Sequence, residues 1–141
     1  MKPMLYLVDT GPLVALFDRK DPAHELVRAG WTPLVGRFAT PSAVITETLH
    51  FLQPIAGGAE ALAGFLRKGL LLIDDAFAQA RIDAAVGLMA RYHDIPMDFA
   101  DATLVLLAER LGTFSIITLD ERGFRTFCFA AKRHFQLTLQ D

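Results

Sequence analysis

The stretch MLYLVDTGPLVALF, residues 4–17, decides the reading of the fold. Its apolar opening reads as a buried strand, Asp9 ends the run, and a Thr-Gly-Pro turn opens a helix. The other apolar runs are short in the same way. Strands are predicted at residues 3–8, near 35–39, at 70–73 in LLLI, at 115–118 in SIIT and at 135–139 in FQLTL. Helices are predicted between them, at 12–18, 22–30, 41–52, 59–68, 76–93 and 98–111; in the fifth, Ile82, Val86 and Met89 recur at helical spacing. Strands alternating with helices predict an α/β domain with a mostly parallel sheet. In such sheets ligands bind outside the carboxyl ends of the strands, the edge where Asp9 closes the first strand.

Composition sets bounds on this reading. A chain of 141 residues suits one compact domain, taken as residues 1–141. The hydrophobic content of 52% and mean hydropathy of +0.33 suggest many buried elements or an apolar face covered by a second subunit. Charge or glycine breaks every apolar stretch well short of the ~18–20 residues a membrane span needs, and Asp9 interrupts any signal-like run. The expected location is therefore the cytoplasm, with no membrane contact. The lone cysteine, Cys128, leaves no disulfide framework and no Cys cluster for zinc, and its setting FRTFCFAA reads as core packing. A net charge of −2 does not advertise nucleic-acid binding. Ten of the fourteen cations are Arg, however, and Arg122, Arg125, Lys132 and Arg133 form a local excess near the C-terminus able to contact phosphates.

The acids carry the chemistry. In IPMDFADATLVLLAERLG, positions 99–108 hold only Asp101 and Thr103 as polar side chains, the pattern of a helix buried nearly all round. Asp101 finds no cationic neighbour three or four residues away. A helix feeding the strand at 115–118 begins at the carboxyl edge, where Asp9 and Asp120 of ITLDERGF already stand. Glu47, in the helix of TPSAVITETLHFL, repeats the pattern with only His50 near enough to assist it. Each acid has an ordinary alternative: Asp98 suits an N-cap, Asp101 falls at N3, and an Asp before Thr-Gly-Pro stabilises a turn. Four acids converging on one edge repel strongly, and a hard divalent cation, Mg²⁺ or Mn²⁺, is the natural counter-charge. Thr10 and Thr118 sit beside the acids as auxiliary residues, able to bond a carboxylate or to serve the turn and strand. His24, His93 and His134 stand in unlike contexts and receive no catalytic role.

At LVDTGPLVALFDRKDPAH, TPSAVITETLHFL, MDFADATLVLLAERLG and SIITLDERGF the sequence resembles the PIN-domain family, in particular VapC-type toxin ribonucleases. The match runs over nearly the whole chain. It implies a three-layer α/β/α domain with a five-stranded parallel sheet flanked by helices, and a Mg²⁺- or Mn²⁺-dependent endoribonuclease. It also implies frequent homodimerisation and neutralisation by a VapB-type antitoxin. Asp9 and Asp101 would be the principal metal ligands, Glu47 and Asp120 would complete the site, and Asp98 would be an extra acid. The implied products carry 5′-phosphate and 3′-hydroxyl ends. Relatives often have a second Asp where this chain has Gly123, which touches only an auxiliary role. Arg122 and Arg125, just beyond Asp120, are the candidates to hold RNA phosphates.

Other classes fit less well. A receiver-like phosphoacceptor needs an acid pair after strand one and a lysine after the last strand, but Thr10 follows Asp9 and FQLTLQD has no lysine. Neither a P-loop nor a Gly-x-Gly-x-x-Gly turn appears. A PIN-like protein that binds RNA or a partner without cutting is the remaining alternative.

Overall fold

The computed structural model describes residues 4–75, 79–92, 94–129 and 133–140. The first half of the chain runs β1 (Met4–Val8), α1 (Thr10–Phe17), α2 (His24–Trp31), β2 (Gly36–Thr40), α3 (Ser42–Leu52), α4 (Gly58–Arg67) and β3 (Leu72–Ile73). A 3₁₀ turn (Gln79–Arg81) then leads into α5 (Ile82–Arg91), α6 (Phe99–Leu111), β4 (Ser115–Ile117), α7 (Glu121–Thr126), β5 (Cys128–Phe129), β6 (Arg133–His134) and β7 (Gln136–Leu137). Five strands form one sheet in the order β3-β2-β1-β4-β7, and every neighbouring pair is parallel. The expected five-stranded parallel sheet is present.

The order places a topological switch beside β1. From β1 the chain builds outward through β2 to β3, then returns to the other side of β1 with β4. α1 packs against α2, α3 and α4, and α5 against α6; right-handed crossovers, the rule for such parallel connections, carry these two groups over opposite faces. The crevice such a reversal opens lies at the carboxyl ends of β1 and β4. β1 enters the sheet exposed at Met4 and is fully buried at Leu7 and Val8, so its last residues are held from both faces. Asp9 then donates its backbone N–H to the Ile117 carbonyl at 3.0 Å and extends the β1–β4 ladder by one rung.

α6 is buried from Ala100 through Ala108 apart from Asp101, as its sequence predicts. It stops at Gly112, whose φ of 66° is a left-handed conformation that glycine adopts without strain. Beneath α7, the ring of Phe124 meets those of Phe127 (5.2 Å, 78°) and Phe135 (5.3 Å, 86°) edge to face. Such pairs contribute about 0.5–1.5 kcal/mol each beyond area burial and anchor the segment that carries Asp120.

Several expectations need correction. The third strand pairs only at Leu72 and Ile73, because it lies at the sheet edge beyond β2. The strand at 115–118 ends at Ile117, since Thr118 turns off to bond Asp9. The helix α7 and the antiparallel pair β5–β6 were not predicted. Of the helix predicted at 76–93, residues 76–78 and His93 lie outside the described residues, as do residue 3 of the first strand and Lys132. Within α5, Ala85 is buried whereas Ile82 and Val86 are 42% and 54% exposed. Cys128 is half-buried rather than packed in the core, with the Tyr92 hydroxyl 3.4 Å from its Sγ. No helix among the described residues is long and apolar enough to cross a membrane.

Candidate active site

Asp9, Glu47, Asp101 and Asp120 line one open cleft of about 600 Å³. Each arrives from a different element: the end of β1, the middle of α3, the first turn of α6, and the turn after β4. The convergence predicted from sequence is therefore present. Asp98, Thr10 and Gly11 also line the cleft, and so do Asp21 and Phe51. Arg122 and Arg125 are not among its lining residues; both are exposed on α7, where Arg125 Nε donates to Glu121 Oε1 at 3.0 Å.

Local bonding fixes each acid. Asp9, 8% exposed, is the N-cap of α1 and accepts from the Thr10 N–H at 2.8 Å through Oδ1. Its Oδ2 accepts from the Thr118 hydroxyl at 2.8 Å. That hydroxyl in turn accepts from the Asp120 N–H at 3.0 Å, so Thr118 ties the ends of β1 and β4 together. Thr10 serves Asp9 only through its backbone, while its own Oγ1 is buried with no hydrogen-bond partner among the described residues. Asp120 caps α7 by accepting from the Gly123 N–H at 3.0 Å. A Cβ at position 123 would run into that carboxylate, which gives the glycine there a physical reason.

Asp98 and Asp101 form a capping box at the start of α6. Asp98 Oδ1 accepts from the Asp101 N–H at 2.8 Å, and Asp101 Oδ2 accepts from the Asp98 N–H at 3.1 Å. Asp101 thus has a local partner that charge pairing alone did not reveal: the backbone three residues before it. Capping and cleft position are not exclusive, because one carboxylate does both. Glu47 is half-buried and has no hydrogen-bond partner among the described residues; His50 instead sets its ring against Phe51 at 5.4 Å. His24 holds the Ala15 carbonyl at 2.7 Å, and His134 lies on the exposed strand β6.

Crowded anions shift one another. Burial pushes the Asp9 carboxyl up to about 6; the Thr118 and Thr10 hydrogen bonds oppose the rise, and the charges of Asp120 and Glu47 add to it. Burial, then the charges of Asp9 and Asp98, push Asp101 up to about 8 against the bond from the Asp98 N–H. No Lys or Arg forms an ion pair with Asp9, Glu47, Asp101 or Asp120 among the described residues. An all-oxygen donor set lacking a cationic partner fits a hard divalent ion. Yet no group of three or more His, Cys, Asp or Glu side chains among the described residues is arranged to hold one metal ion. What the cleft offers such an ion is separate carboxylates rather than a closed cage of ligands.

Asp21 was missed in the sequence. It accepts from the Ala23 N–H at 2.8 Å, an Asp-Pro turn whose only advance signal was FDRKDPAH itself. Phe51 was missed as well, because an aromatic in a helix ordinarily reads as core.

A family profile described as "PIN domain" matches residues 6–130. The chain is 31% identical over 121 residues to ribonuclease VapC26 of Mycobacterium tuberculosis, spanning 84% of this chain and 88% of that protein. Among solved structures it resembles M. tuberculosis VapC20, described as a "Sarcin-Ricin loop cleaving toxin", with a TM-score of 0.71 at 21% identity, over 83% of this chain and 90% of the other. At that identity the structural likeness shows the fold alone.

Proposed function

This chain belongs to the PIN-domain family, and on that premise we propose that residues 1–141 form one such domain acting as a divalent-metal-dependent endoribonuclease, the toxin of a toxin–antitoxin pair. One observation carries the proposal: carboxylates from four separate elements line a single cleft at the sheet's switch point with no cationic side chain paired to them among the described residues. RNA is the substrate, a VapB-type antitoxin the inhibiting partner, a homodimer the assembly and the cytoplasm the location. The VapC26 ribonuclease relative supports the first of these most directly.

Asp9 and Asp101 would hold Mg²⁺ or Mn²⁺, which when bound supplies charge neutralisation, polarisation of a phosphoryl oxygen and a more acidic water. Thr118 keeps the Asp9 carboxylate oriented by donating to Oδ2. Glu47, half-buried and with no competing bond among the described residues, is the better base for the proton of the attacking water; Asp120 has one oxygen committed to the α7 cap. Asp98 holds the first turn of α6, and through it Asp101, in place. Arg122 and Arg125 supply phosphate contacts beside Asp120.

End-group analysis of RNA cut by the purified protein tests this scheme. Attack by an activated water that breaks the P–O3′ bond and expels the 3′-oxygen leaves 5′-phosphate and 3′-hydroxyl ends, whereas 2′,3′-cyclic phosphates would place the nucleophile on the RNA itself. The capped acids favour one second reading, a PIN-like protein that binds RNA or a partner without cutting. RNA bound but left intact under every metal tried would select it.

A further inference from the structure

Beside the acidic cleft runs a second open groove, of about 780 Å³, between α3 and the start of α6. The two share Glu47, Phe51 and Asp98, so they are continuous. Phe51 is 52% exposed and belongs neither to the hydrophobic core nor to the side chains packed against it. Its ring contact is with its sequence neighbour His50, edge to face at 71°. Phe99, 38% exposed, lines the same groove from α6.

We propose that this groove is a nucleobase subsite, in which an unpaired base flanking the scissile phosphate stacks on Phe51. The assignment rests on the ribonuclease reading above and adds where the neighbouring nucleotide goes. Charge decides between the parts of a nucleotide. Among the described residues this groove's lining holds Glu47 and Asp98 but no Lys or Arg and neither of the two acids that would hold the cation, so it disfavours a phosphate, while Asp98 can accept an N–H group from a base edge. An exposed aromatic face is what sequence-tolerant recognition of single strands uses, because every base has a π-face to offer. Continuity supplies the reach: with a phosphate in the acidic cleft, the attached nucleotide has the adjoining groove to enter.

Single-stranded RNA decamers carrying 2-aminopurine at each position in turn, mixed rapidly with the protein in Mg²⁺, provide the test. Stacking should quench the probe at one position, and Phe51→Ala should remove that quench. Binding should weaken about 5- to 150-fold, the range for losing one base–aromatic stack. Because stacking serves bound substrate and transition state alike, KM should rise with kcat nearly unchanged. The melting temperature should not move, and Phe51→Tyr should restore both quench and affinity. The proposal is overturned by an absence of quenching at every position, by wild-type affinity in Phe51→Ala, or by rescue with Phe51→Leu as full as with Phe51→Tyr. It is overturned equally if Phe51→Ala dissociates a dimer and leaves RNA binding intact, since the groove would then be a subunit interface. A Phe51-dependent quench on RNA that is never cut would uphold the subsite and refute the nuclease reading.

Discussion

Replacing Asp101 by Asn separates a carboxylate kept for function from one kept for stability. The amide oxygen of Asn can still accept from the Asp98 N–H, so the capping box survives while one negative charge leaves the neighbourhood of Asp9 and Asp98. In the folded protein Asp101 is raised from 3.8 to about 8, which corresponds to about 6 kcal/mol if fully expressed. Asp101 is only partly buried and solvent screens part of the repulsion, which reduces the figure to about 2–4 kcal/mol. The sign follows from the raised value: the native state holds this proton more tightly than the unfolded chain does. The associated stability is full below about pH 4 and is lost as pH rises through about 8. Wild-type protein in EDTA should therefore melt at progressively lower temperature from pH 5 to pH 8.5. Asp101→Asn should lose most of that slope and melt on the order of 10 °C higher at pH 8.5. Mg²⁺ should stabilise the wild type by mass action, leave the variant unmoved, and restore no RNA cleavage to it. Thermal melts followed by circular dichroism, with EDTA and with Mg²⁺, read all of this. A variant that melts lower than wild type at pH 8.5 without metal, yet cuts RNA, would show that Asp101 is only a capping residue.

Asp98→Ala removes the acceptor for the Asp101 N–H and should cost about 0.5–2 kcal/mol in denaturant unfolding while most cleavage activity survives. Thr118→Val deletes the donor that holds Asp9 Oδ2 and lowers its pKa, so Asp9 should titrate at still higher pH and the rising limb of the pH–rate profile should move alkaline; an unchanged limb would mean Asp9 is not the group it reports. Changing Arg122 and Arg125 together to Ala should flatten the salt dependence of RNA binding by up to about two phosphate contacts. An unaltered slope places the RNA backbone elsewhere.

Much of this was legible because burial leaves a strong signature. The apolar run ending at Asp9, and α6 with only Asp101 and Thr103 polar in its interior, specify both the elements and the edge they share. α7 was not legible: ERGFRT has no apolar period, and the helix depends on the Asp120 cap and on Phe124 reaching an aromatic cluster assembled from distant residues. β3 shrinks to two residues because an edge strand is shaped by its single neighbour rather than by its own composition. At the site, convergence could be argued from topology, but bonding could not. Whether Asp120 faces the cleft or the Gly123 N–H is a matter of side-chain rotamer. Phe51 stayed hidden for the opposite reason, since an exposed aromatic and a buried one are the same letter.

RNA cleavage by the unmodified protein, measured before chelation, in excess EDTA and after Mg²⁺ or Mn²⁺ is returned, bears most directly on the four-acid cleft. Cleavage should stop in EDTA and recover with either ion, because among the described residues no lysine or arginine side chain is paired with these carboxylates to neutralise them. Undiminished cleavage in EDTA would contradict it.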